Sequence, residues 1–237
     1  FVLDDKEKAA YFMNDLEQIL GDKPRPIFMF PRSARVPYQE EVTENANIAM
    51  RAEVLNEING GREGCIIVSY PGALSEQVIT QKELSAQTFS LGIGDNFSLD
   101  FLDEVFLEYG FDKVDFVYEP GQYAMRGGIV DVFSYSLDHP YRIEFFGEEI
   151  ESIRKFDPVS QLSVSKLTRA TIVPNVGDKT LHKSQEPFFS FIPNSSIMWM
   201  SDVRGCELGL DKELEKAHSH FDRLEGETKR TPPTNFI

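Results

Sequence analysis

The sequence predicts an α/β protein: a parallel-sheet layer interrupted by an inserted α+β domain. Three observations predict it. Helical patterns and wholly apolar strand-like runs alternate over the first eighty or so residues, the signature of a parallel sheet with crossover helices. From about residue 82 the pattern changes to one helix and a run of short strands on tight turns. After residue 166 an apolar run followed by helical spacing returns. The expected boundaries are residues 1–81 for the first part of the layer, 82–165 for the insert and 166–237 for the second part.

Asp4-Asp5 caps a helix from about Lys6 to Leu20, with Gly21 as its stop. Ala9, Phe12, Leu16, Ile19 and Leu20 form its apolar stripe. Pro26–Phe30 is a short apolar run, as buried parallel strands are, and Pro31–Val42 is an irregular polar connection. Thr43 caps a second helix, Glu44–Asn59, with Ile48, Ala52, Leu55 and Ile58 inward and Gly60-Gly61 closing it. Cys65–Tyr70 is the next strand, and Pro71 opens a helical turn to about Val78. In the insert, Thr88–Gly94 is a strand. Ser98 caps a helix with Leu99, Leu102, Phe106 and Tyr109 on one face, ended by Gly110. Thr168–Pro174 reads as a strand returning to the first domain, Asn175–Pro187 as a loose polar segment and Ser195–Asp202 as an apolar strand. Leu210, Leu214, Ala217, Phe221 and Leu224 then follow at helical spacing.

The most informative stretch is Tyr118–Asp157. Glu119-Pro120-Gly121-Gln122 is a type II turn, because Pro120 presets φ and Gly121 supplies the positive φ that follows. Lys113–Tyr118 alternates before it. After it, Tyr123 and Met125 point one way, and Gln122, Ala124 and Arg126 the other. Gly127-Gly128 breaks the period as a bulge or sharp bend would, Ile129–Phe133 resumes as a strand, and Ser134–Pro140 is a loop. Along Tyr141–Phe146, Tyr141, Ile143 and Phe145 share the core face, while Arg142, Glu144 and Phe146 share the polar one. A large aromatic beside an arginine on a polar face marks a binding surface. The alternative is a neighbouring element covering Phe146.

Composition bounds the function. Hydrophobic residues make up 41% of the 237, enough for a packed core. The net charge of −15 argues against a free-standing nucleic-acid binder. The two cysteines, Cys65 and Cys206, have neither a disulfide framework nor metal-ligand spacing. No apolar run approaches membrane-spanning length, so neither a membrane partner nor a span is expected, and a cytoplasmic location is. The chain opens on Phe1 rather than Met and reads as a piece of a longer protein. Gly60-Gly61-Arg62-Glu63-Gly64 lacks the lysine of a phosphate loop and reads as a turn. His218 and His220 lie about 200° apart on a helix and cannot chelate together. Glu148, Glu149, Glu151 and Asp138 read as a charged rim.

The run from Glu119 to Gln161 carries E-P-G-Q-Y-A-M-R-G-G-I-V-D-V-F and then P-Y-R-I-E-F-F-G-E-E-I-E-S-I-R-K-F-D-P-V-S-Q. It closely resembles the bacterial transcription-repair coupling factors, and more loosely the excision-repair protein UvrB. The resemblance implies that the α/β layer is a partial, degenerate RecA-like (helicase-type) layer. It implies that the insert is a UvrA-binding domain, and that the whole parent is an ATP-driven double-stranded DNA translocase that removes stalled RNA polymerase. The polymerase-binding domain and the motor, with their ATP and Mg, would lie outside this chain. No catalytic, cofactor or metal site is expected within it. UvrB carries a long DNA-gripping hairpin where this chain has only Pro31–Val42. Asp202 sits like a Walker-type aspartate, but without a phosphate loop it reads as a helix cap or a relic.

Carried over residue by residue, the UvrA-binding positions are Arg126 of the RGG motif, and Arg142 and Phe146 of the P-x-R-I-E-x-F segment. Lys113 falls where UvrB has an additional arginine, and Ala124 where UvrB has another, so that last contact is expected to be absent. Two arginines can engage carboxylates bidentately, and an aromatic can fill a small pocket. The alternative is that the arginines serve internal ion pairs with Glu144, Glu148 or Glu151, of the exposed kind that contributes about 0–1 kcal/mol. The rival function is a direct DNA-binding or motor fragment, which would show a basic stripe with interleaved aromatics.

Overall fold

A computed structural model describes residues 1–21, 25–33, 45–177 and 183–223. Contacts group the chain into two compact units, residues 1–80 with 184–237, and residues 81–183. The fold is mixed α/β, with antiparallel and mixed sheets.

The first unit opens with α1 (Lys6–Leu20), capped by Asp5, whose Oδ1 accepts the Lys8 N–H at 2.8 Å. Gly21 ends it at φ +53°. The expected stripe is only partly buried. Ala9 is enclosed, but Ile19 is 74% exposed, because a helix lying on a small sheet buries a narrower stripe than its apolar positions offer. β1 (Ile27–Met29) pairs in parallel with β2 (Ile66–Val68), and α2 (Asn45–Asn59) lies between them in sequence. Ile48, Ala52 and Leu55 are buried as expected. The expected cap, Thr43, and the connection 34–42 lie outside the described residues. The helical turn α3 (Pro71–Leu74) stops short of Val78, because β3 (Gln77–Ile79) takes those residues into a strand.

Behind the short sheet is a charge cluster. Glu76 is 6% exposed and accepts the Ser33 N–H at 3.0 Å. Its carboxylate meets Arg32 Nε at 3.3 Å and Arg51 Nη1 at 3.2 Å. Arg32 also reaches Glu213 at 2.6 Å, 181 residues away. Arg51 stacks over Phe30 and donates to the Pro31 carbonyl at 2.8 Å.

The second unit begins with α4 (Gln81–Gln87), β4 (Phe89–Gly92) and α5 (Leu99–Glu108). Ser98 caps α5 through the Phe101 N–H at 3.2 Å. A six-stranded sheet follows: β5 (Asp112–Lys113), β6 (Gln122–Arg126), β7 (Ile129–Val132), β8 (Tyr141–Phe146), β9 (Glu149–Phe156) and β10 (Ser163–Leu167), neighbours in chain order. All its pairs are antiparallel except β5 with β6, which is parallel. Of the expected strand Lys113–Tyr118 only Lys113 lies in β5, and the connection 114–121 follows as loop and turn. Gly121 has φ +87°, as the type II turn requires, and a Cβ there would overlap the Tyr135 ring. Gly127-Gly128 is the two-residue turn of the β6–β7 hairpin.

One face of this sheet is the core. Tyr123, Val130, Val132, Ile143, Ile150 and Ile153 are buried on it, and Phe106 of α5 packs on Tyr123 at 5.0 Å between ring centroids. Each such fully buried side chain contributes roughly 1.5–3 kcal/mol relative to exposure. β11 (Arg169–Ile172) corrects the reading of Thr168–Pro174 as a return to the first domain. It pairs antiparallel with β4, inside the 81–183 unit. An apolar strand fits either sheet by pattern, and the register Ala170↔Leu91 and Ile172↔Phe89 decides between them.

The chain then returns to the first unit through β12 (Gln185–Pro187), α6 (Phe188–Phe191) and α7 (Val203–Arg223). β12 pairs antiparallel with β3, so the end of the expected loose segment 175–187 is a strand. Ser195–Asp202 is not the buried strand that its apolarity suggested. Ile197 is 78% and Trp199 62% exposed, and only Met200 bridges, in parallel, to Val2. Asp202 directly precedes α7, and its carbonyl accepts the Cys206 N–H at 2.9 Å, the first bond of that helix. No helix among the described residues is long and apolar enough to cross a membrane.

Candidate functional site

The sheet face opposite the core holds the candidate site, and strand register assembles it. Arg126 faces Ile129 across the β6–β7 hairpin. Asp131, one step along, faces Ala124 on one side and Arg142 on the other. Arg142 faces Arg154, and Glu144 faces Ser152. Phe146 ends β8 opposite Glu149. The alternation read from the sequence therefore places Arg126, Arg142 and Phe146 on one face.

Their environments differ sharply. Asp131 is 1% exposed and clamped by both arginines. Arg142 grips it with two bonds, Nε to Oδ1 at 2.6 Å and Nη2 to Oδ2 at 2.8 Å. Arg142 Nη2 also donates to Gln161 Oε1 at 2.8 Å, and the guanidinium lies 4.2 Å above the Phe156 ring. The hydrogen bond to Asp131 raises the Arg142 pKa further. Gln161 sits at φ +60°, a conformation a side-chain-bearing residue seldom adopts, and its Nε2 donates to the Pro158 carbonyl at 2.7 Å. The D-P-V-S-Q end of the motif thus acts as a bracket for Arg142. The sequence offers Glu144, Glu148 or Glu151 as internal partners for the arginines. Glu144 instead takes Arg154 at 2.7 Å, and bonds to Ser152 and Arg154 hold its carboxyl below the usual glutamate range. The carboxylate that both arginines use is Asp131.

Arg126 is freer. One guanidinium nitrogen meets Asp131, another reaches the Asp115 carbonyl at 3.3 Å, and the side chain is 40% exposed. It stacks 4.8 Å over the ring of Phe116. Phe146 is 80% exposed, so among the described residues no element covers it. Lys113 lies at the sheet edge and pairs with Asp103 at 2.8 Å. Bonds from Lys113 and Tyr123 hold the Asp103 carboxyl below the usual aspartate range, and burial pushes the Tyr123 hydroxyl up. Lys113 faces Tyr123 in register, so its ammonium lies on the α5 side of the sheet and not on the face of Arg126, although both residues border one open groove of about 600 Å³ with Val114, Asp115, Phe116 and Met125. Ala124 is 1% exposed, closed under Val117 and Phe133, so the 114–121 connection occupies the space that a longer side chain there would need.

Residues 89–177 match the model of the UvrB interaction domain family. The match takes in the sheet, α5 and the candidate face. The chain is also similar to curated proteins named transcription-repair-coupling factor. It is 32% identical to that of Myxococcus xanthus over 175 residues, 72% of this chain and 14% of the relative. It is 29% identical to that of Bacillus subtilis over 167 residues, 70% of this chain and 14% of the relative. For Escherichia coli the figures are 30% over 139 residues, 59% and 12%. The chain thus spans about a seventh of the length of the relatives it matches first.

Within residues 89–177, reasoning from sequence missed Asp131, Gln161 and Phe116. Asp131 had a visible signal. It is a lone acid between valines on a strand whose neighbours are buried, and a carboxylate in that setting needs charged partners. The partners themselves depend on register. Among the described residues no cluster of histidine, cysteine and acidic side chains could hold a metal ion.

Proposed function

We propose that this chain is the part of a transcription-repair coupling factor that recruits UvrA, through the face of its UvrB interaction domain carrying Arg126, Arg142 and Phe146. One observation carries the reading. Phe146 stands 80% exposed at the end of β8, on the same face as two arginines oriented by a buried carboxylate. A rigid aromatic beside a fixed guanidinium is what interface hot spots are made of. Arg142 acts mainly as a brace in this reading, and Arg126 and Phe146 as contacts. Lys113, paired with Asp103 at the sheet edge, stands beside this face rather than on it.

The rest of the parent follows the same line. The β1–β2 pair, with Val2 and Met200 bridging beside it, supports a degenerate RecA-like layer. The absence of G-x-x-x-x-G-K-(S/T) from the sequence supports a chain without ATPase activity of its own, with ATP, Mg, DNA and polymerase handled by other parts of a cytoplasmic parent. Titration of UvrA into the chain by calorimetry tests the proposal. Saturable binding that is lost in Phe146→Ala and weakened in Arg126→Ala is expected. A folded chain that does not bind UvrA would overturn it.

A further inference from the structure

The geometry points to a second subsite beside this surface: the groove bordered by Arg126, Phe116 and Met125 takes an apolar side chain of UvrA with a carboxylate next to it. This rests on the reading that the domain meets UvrA. Phe116 is 52% exposed, although the residues on either side of it are held. Val114 N–H donates to the Tyr123 carbonyl at 2.9 Å, the Asp115 carbonyl accepts from Arg126, and Val117 is 1% exposed. Further on, Gln122 Oε1 accepts the N–H groups of Tyr118 and Glu119 at 2.9 and 3.1 Å. The connection is thus fixed along its length, and the Phe116 ring is presented in place rather than left to wander. Presentation of this kind lowers the ordering cost of binding.

The Arg126 guanidinium selects the occupant. It shares the single carboxylate of Asp131 with Arg142. Arg142 takes that carboxylate through two bonds and Arg126 through one nitrogen, so the Arg126 edge can take a further carboxylate. The Arg126 Nε has no hydrogen-bond acceptor among the described residues. Asp115 and Lys113 line the groove as well, and the Lys113 ammonium is paired with Asp103. A stacked arginine–phenylalanine pair then favours a partner side chain that lies on the ring and sets a carboxylate against the guanidinium edge.

The test is calorimetric titration of UvrA into the 237-residue chain, as wild type and as Phe116→Ala, Phe116→Glu, Phe116→Tyr and Phe146→Ala, with thermal unfolding of each variant followed by circular dichroism. Phe116→Ala is expected to melt like wild type and to bind about tenfold more weakly, as loss of a hot-spot aromatic does. Phe116→Glu is expected to bind more weakly still, because its carboxylate occupies Arg126, and Phe116→Tyr, which keeps the stack, to bind like wild type. If Phe116→Ala and Phe116→Glu bind like wild type while Phe146→Ala does not, the groove lies outside the interface and this inference alone falls. If the wild-type chain does not bind UvrA, the recruitment reading falls, and the subsite with it.

Discussion

Two buried carboxylates, one in each unit, are each held by a pair of arginines, and they do different work. Glu76 meets Arg32 and Arg51, and through Arg32 the cluster reaches Glu213 on α7. It ties together chain segments that no strand ladder joins, and Arg51 and Glu76 are both almost fully enclosed. Asp131 meets Arg126 and Arg142 on strands already fixed by the ladder. It is not needed to bring those segments together. What it does is aim two guanidinium groups, one of them 40% exposed beside Phe116. The same chemistry is a staple where the segments are distant in sequence, and a sight where they are neighbours.

The largest effect should come from breaking the staple. Removing one member of a buried ion cluster costs about 3–5 kcal/mol, so Arg51→Ala is expected to lower the urea midpoint of the 1–80 and 184–237 unit strongly while UvrA binding to the other unit persists. An equal loss of stability in both units would break the comparison. Next comes Arg142→Ala. It leaves Asp131 with only Arg126, so a loss of about 1–3 kcal/mol is expected by denaturant titration, together with weaker UvrA binding. A variant that loses binding at unchanged stability would instead make Arg142 a direct contact. Phe146→Ala should be the converse case, with stability within about 0.5 kcal/mol of wild type and binding lost.

The smallest effect is electrostatic. The Asp103 pKa is lowered in the folded protein, chiefly by Lys113 and then by Tyr123. A lowered carboxyl contributes stability above the ordinary aspartate range and loses it as pH falls through the folded value. Asp103→Asn should therefore flatten the acid side of the stability–pH curve slightly, by the ~0–1 kcal/mol of an exposed pair, and leave neutral-pH binding intact. A large shift at neutral pH would show that Lys113 and Asp103 hold the sheet edge rather than decorate it.

Much of the insert was legible in the sequence because its signals are local. Alternation along Tyr141–Phe146 depends only on the strand period, and the Pro120-Gly121 turn only on backbone sterics. Both appear in the structure, down to the positive φ at Gly121. The same local logic placed Arg126, Arg142 and Phe146 on one face. It failed where an apolar run had no single destination. Ser195–Asp202 has the composition of a buried strand yet exposes Trp199 and Ile197, and Thr168–Pro174 joins β4 rather than the first unit.

Strand period and turn chemistry already assign which residues share a face, where the turns fall and that Phe146 is out of place on a polar strand face. Whom the arginines hold follows from how the strands pair. Asp131 faces Arg142 because β7 and β8 pair in one register, and a slip of a single residue would turn it to the other face. Arg126 meets Phe116 because the connection before β6 folds back over that face. Periodicity assigns a side to each side chain. The partners across β7 and β8 come from register, which strand periodicity alone does not encode.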